Sequence, residues 1–126
     1  MARRTLLVVL ALGAIWLPGG ALADDGDDEA RVSGTCSRPA RSELRLRADD
    51  GRIEIEVRLD RLSRRGAWRV IVLHERRIAY RGQLRPRSSS ASVRVRASVD
   101  DLFGPDTVVV RAAGPRGESC RISATV

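Results

Sequence analysis

The chain contains no lysine. All 23 of its basic residues are arginine, set against 16 acids and one histidine, His74. A high-GC genome is enough to favour arginine codons, so the bias by itself assigns no function. Aromatic residues make up only 3% of the chain, so an interface anchored on Trp and Tyr has little to be built from. Two cysteines, Cys36 and Cys120, have no histidine near them in sequence, which is poor zinc spacing. No phosphate loop, haem motif or nucleotide fingerprint is present. Nothing therefore calls for a cofactor or a metal. No helical period runs through residues 24–126.

What is present begins with a processing signal. Met1, Ala2, Arg3 and Arg4 form a basic start, residues 5–17 are apolar, and Pro18-Gly19-Gly20 breaks the run. Ala21-Leu22-Ala23 has the small-x-small form of a cleavage site. The apolar run is shorter than the roughly 20 residues a helix needs to cross a bilayer. Residues 1–23 are read as a signal peptide, of ordinary Sec type or, from Arg3-Arg4, twin-arginine type. The mature chain then starts at Asp24 without a membrane span, outside the cytoplasm, secreted or held in the cell envelope. Residues 24–30 are an acidic leader, expected to be disordered. Their spacing lacks the ligand pattern of a calcium-binding EF-hand loop. Of the 23 arginines two precede residue 31, and of the 16 acids five do, so residues 31–126 hold 21 arginines against 11 acids.

The stretch "SELRLRADDGRIEIEVRL", residues 42–59, alternates apolar and charged residues with period two, as a strand with one buried face does. Asp50-Gly51 suits a two-residue type I′ turn, in which both central residues take positive φ. Such a turn sets Leu46 against Ile55 and Leu44 against Val57 on the buried face. Outside, it sets Arg47 against Glu54, Arg45 against Glu56 and Glu43 against Arg58. Each exposed pair contributes only about 0.2–1 kcal/mol, so the pairs select a register more than they stabilise it. Slipping by one residue would put charge into the core.

Further strands are expected at 32–37, 67–74, 77–84, 92–99, 107–113 and 119–126. Trp68 belongs to a strand apolar on both faces, which suits a central position. Val93, Val95, Ala97 and Val99 point inward, with Arg94 and Arg96 outward beside Glu54 and Glu56. Pro115 and Gly117 fit a three-residue hairpin turn that sets Arg111 opposite Arg121. Residues 31–126 thus form one small domain with a modest core. In an exported chain a Cys36 to Cys120 disulfide is the expected brace.

Strand order and the single core Trp68 resemble the immunoglobulin-like domains, in particular fibronectin type III. The resemblance covers residues 42–126. It implies an all-β fold, a single immunoglobulin-like antiparallel β-sandwich of seven or eight strands. Residues 42–48, 52–59, 67–74, 77–84, 92–99, 107–113 and 119–126 would be strands A, B, C, C′, E, F and G. Two features depart from the family. Val108 stands where a tyrosine corner would be, and the cysteines do not match the usual B-to-F bridge. The sequence is also similar in style to small secreted proteins of high-GC bacteria.

For chemistry the residues offer little. His74 reads as a solvated turn flank. Glu54 and Glu56 look like a carboxylate pair, but arginine neighbours hold carboxylates ionised, the opposite of a raised-pKa general acid. The expectation is a non-enzymatic exported protein that binds something or serves the envelope, its partner an envelope protein or an anionic polymer. Arg69, Arg111 and Arg121, with no acid close in sequence, are the candidate patch for a wall polymer, glycan or nucleic acid. A small secreted enzyme or inhibitor is the rival reading.

Overall fold

The computed structural model describes residues 28–87 and 89–126. The proposed signal peptide and residues 24–27 of the acidic leader lie outside the described residues. Within them the fold is all-β, and every strand pairing is antiparallel. The strands are β1 (Glu29–Ser33), β2 (Thr35–Cys36), β3 (Arg41–Asp49), β4 (Arg52–Asp60), β5 (Trp68–His74), β6 (Arg77–Leu84), β7 (Val93–Asp100), β8 (Thr107–Ala113) and β9 (Ser119–Thr125). They form a four-stranded sheet in the order β1-β3-β4-β7 and a five-stranded sheet in the order β2-β9-β8-β5-β6. The two sheets enclose one core. Leu44, Leu46, Ile53, Val57 and Leu59 of the first sheet and Trp68, Val70, Val72 and Val108 of the second are wholly buried in it.

The β3–β4 hairpin has the expected register, from Glu43 opposite Arg58 to Arg47 opposite Glu54. Its turn has the expected positive φ at Asp50 (50°) and Gly51 (74°). Gly117 (φ 80°) likewise turns β8 into β9, and Arg111 faces Arg121 across that hairpin. Cys36 and Cys120 are directly opposed on β2 and β9 and joined by a disulfide.

One local expectation is corrected and another is refined. The single first strand expected at 32–37 is two strands, divided at Gly34, and β1 takes in Glu29 and Ala30 of the leader. Here the chain leaves the edge of one sheet for the edge of the other. The backbone passes so close to Ile122 and Ser42 that a β-carbon at residue 34 would collide with both side chains, while Gly34 N–H donates to the Ser42 carbonyl at 3.0 Å. Gly34→Ala should therefore cost about 1–3 kcal/mol by overpacking, read as a lowered urea midpoint. An unchanged midpoint would show that the crossing has room to spare. Next, on β7 Arg96 faces Glu56 and Arg94 pairs with Glu56 at 3.6 Å, as expected, but Glu54 lies opposite Ser98 and Arg94 opposite Arg58. The facing of β6, which the sequence leaves open, is set by a bulge between Val72 and Leu73 that places Tyr80 opposite Val72 and Ile78 opposite Leu73. Ile78 thus falls on the outer face and Tyr80 toward the core.

Candidate anion-binding surfaces

Charge is divided between the sheets. No strand of the five-stranded sheet contains an aspartate or a glutamate. Every acid that lies in a strand is in the four-stranded sheet, where it alternates with arginine. Ion pairs join neighbouring strands of that ladder at Arg45–Glu29 (2.7 Å) and Arg52–Asp100 (2.6 Å), and Arg58–Asp60 (3.1 Å) lies along β4. The pleat sends Trp68, Val70, Val110 and Ile122 inward, so alternate residues of the same strands point out.

The outer face of the five-stranded sheet is built from those alternate residues. One row across it runs Arg81, Ile71, Arg111, Arg121 and Thr35, on β6, β5, β8, β9 and β2. Arg69 lies in the next row, between Gln83 and Ala113. The expected trio of Arg69, Arg111 and Arg121 thus shares one face. Arg81 belongs with it and went unrecognised in the sequence, because the β6 bulge hides which way that strand faces. Neighbouring strands are about 4.8 Å apart, so Arg81 stands about 10 Å from Arg111 across Ile71. Arg69, Arg81 and Ile71 border a shallow depression with Gln83. None of the four arginines makes an ion pair among the described residues. Like charges held this close oppose folding unless something neutralises them.

A second arginine cluster lines a cleft at the end of β6. Arg58 and Arg94, opposed on β4 and β7, meet Arg85 and Arg87 of the connecting loop, with Ser90 and Ser92 beside them. Sequence separation conceals this grouping, since Arg58 and Arg94 come together only when β7 docks on β4.

His74 is not a solvated turn flank. It is 8% exposed and its Nε2–H donates to Oδ1 of the fully buried Asp106 at 2.7 Å. Burial, the largest single influence on the Asp106 carboxyl, pushes its pKa up. Hydrogen bonds from His74 and the Leu102 N–H, the neighbouring Asp101 carboxyl and the charge of His74 outweigh it and leave the pKa lowered. Asp101 is raised, first by the neighbouring Asp106 carboxyl, with which it shares a proton, then by desolvation and by the charges of Asp106 and Asp28. Arg52, Glu75, Ser98 and Asp100 line a cleft beside this pair. A Ser-His arrangement would need a serine hydroxyl bonded to the histidine ring. Here Asp106 occupies Nε2, and Ser98 Oγ accepts from Arg52 Nε at 2.9 Å. Glu54 and Glu56 stand in the arginine ladder as the sequence suggests. No protein-family model, no curated protein and no solved structure matches the chain.

Proposed function

We propose that the mature domain works outside the cytoplasm by binding rather than by catalysis, and that it binds an anionic polymer across the outer face of the five-stranded sheet. One observation carries this reading. Arg69, Arg81, Arg111 and Arg121 share a face whose strands contain no carboxylate, while on the other sheet arginines alternate with acids and several are ion-paired with them. The disulfide supports an oxidising compartment. Strand pairing supports the immunoglobulin-like, fibronectin type III-like reading, with β3, β4 and β7 as strands A, B and E, and β5, β6, β8 and β9 as C, C′, F and G. β1 and β2 are then additions at the sheet edges.

Binding of fluorescein-labelled heparin, followed by polarisation across a salt series, tests the proposal. Affinity should fall steeply with salt as counterions compete. Arg111→Ser with Arg121→Ser should weaken binding and lower the slope of log affinity against log salt by about one per arginine. Arg45→Ser with Arg47→Ser should weaken it less, because Arg45 is paired with Glu29 and Arg47 stands opposite Glu54. Neither double variant should change Trp68 fluorescence. Binding indifferent to salt, or lowered equally by both pairs, would overturn the assignment.

A further inference from the structure

We infer that the cleft between the end of β6 and the start of β7 is a separate site for a tetrahedral dianion, a phosphate or sulfate group. It uses none of the outer-face arginines and does not rest on the polymer reading.

The cleft encloses about 430 Å³ and is lined by Arg58, Arg85, Arg87, Arg94, Ser90 and Ser92, over a floor that includes Leu84 and Val93. Strand register dictates half of it. Docking β7 on β4 with Leu59 against Val93 leaves Arg58 facing Arg94. That like-charge pair is only partly offset, by Asp60 at 3.1 Å from Arg58 and Glu56 at 3.6 Å from Arg94. The loop supplies the other half. Arg85 and Arg87 flank Pro86, and neither makes an ion pair among the described residues.

The loop is also anchored. Arg87 N–H donates to the Ser92 carbonyl at 3.2 Å, Ala91 N–H to the Arg87 carbonyl at 2.8 Å, and the N–H of the buried Leu62 to the Ala91 carbonyl at 2.9 Å. These bonds hold the Ser90 and Ser92 hydroxyls 2.7 Å apart. One proton joins the two oxygens, which leaves the other free to donate outward. Arginines from the sheet and from the loop border the cleft together with these hydroxyls, so donors reach it from two separate elements. A group with several oxygens directed in three dimensions satisfies that set better than a planar carboxylate. Arginine binds such oxygens through paired, charge-assisted hydrogen bonds. A dianion would also relieve the Arg58–Arg94 repulsion.

The test uses inorganic phosphate with the domain, read by ³¹P NMR line broadening at fixed ionic strength. Binding should saturate, and sulfate should displace phosphate while acetate and nitrate should not. Arg87→Ser with Arg94→Ser should weaken binding about tenfold or more, as expected for losing two charge-assisted contacts. Arg85→Ser with Arg87→Ser, which leaves the sheet ladder untouched, should do the same while Trp68 fluorescence stays unchanged. Arg111→Ser with Arg121→Ser should leave phosphate binding within about twofold, since those residues lie outside the cleft. Non-saturating broadening, displacement by acetate, or equal loss in the outer-face variant would overturn the site. Heparin binding lost in the outer-face variant with phosphate binding kept, or the reverse, separates the two readings.

Discussion

Replacing Cys36 and Cys120 together should lower the unfolding free energy by about 3–5 kcal/mol. The bond joins residues 84 apart in sequence, and chain-entropy reasoning gives about 4–5 kcal/mol for a loop of that length. Small domains have about 5–15 kcal/mol in total, so a large share of the stability rests on one bond. Its location makes the loss local as well. β2 is two residues long and pairs only with β9, so little else holds it once the bond is gone. Alanine is the cleaner replacement, because Cys120 is 4% exposed and packs in the core, where a serine hydroxyl would add its own burial cost. Urea unfolding of the double alanine variant, followed by Trp68 fluorescence, should show a lower midpoint. The slope should steepen too, since an uncrosslinked unfolded chain exposes more surface. A midpoint unchanged by reductant in the wild-type protein would sink the idea that the bond braces the fold.

Asp106→Ala should cost about 3 kcal/mol, because it strips a buried histidine of its partner. It also frees the loop 101–106, whose Leu102 N–H donates to the same carboxylate at 3.2 Å. The pH dependence has two parts of opposite sign. Asp106 is depressed, so its contribution is present above the ordinary aspartate pKa, about 3.9, and is lost as pH falls through its lower folded value. Asp101 is raised, so its contribution is complete below about pH 3.9 and is lost as pH rises through its higher folded value. The two carboxyls titrate as a pair, with the first proton going to Asp101. Asp106→Asn removes the charge and returns Asp101 toward its ordinary value. Carboxyl NMR titrations of wild type and Asp106→Asn check this directly. An Asp101 that titrates identically in both would refute the coupling. His74→Gln, which keeps a donor of similar reach, should destabilise less than Asp106→Ala if the hydrogen bond to the carboxylate is what matters.

The β3–β4 hairpin was fully legible in the sequence, because turn chemistry and the pleat are local. Asp50-Gly51 pins the register, and period two then decides which side chains face the core. The β8–β9 hairpin follows from Pro115 and Gly117 in the same way, and with it the Arg111–Arg121 opposition. Arg111 and Arg121 could be placed together for that reason, while Arg69 joins their face only because β5 pairs with β8, and two cysteines leave only one intramolecular pairing. The tertiary structure alone decided the rest. Gly34 looks like any strand residue until Ile122 and Ser42 close on it. His74 looks like a turn flank until Asp106, 32 residues later, arrives beside it. Arg81 joins the outer face only through the β6 bulge, and Arg58 meets Arg94 and Arg87 only when β7 seals the edge of β4. The division follows from the range of the forces. Backbone sterics and alternation act within a few residues, whereas burial and charge juxtaposition depend on which strand edges meet across the core.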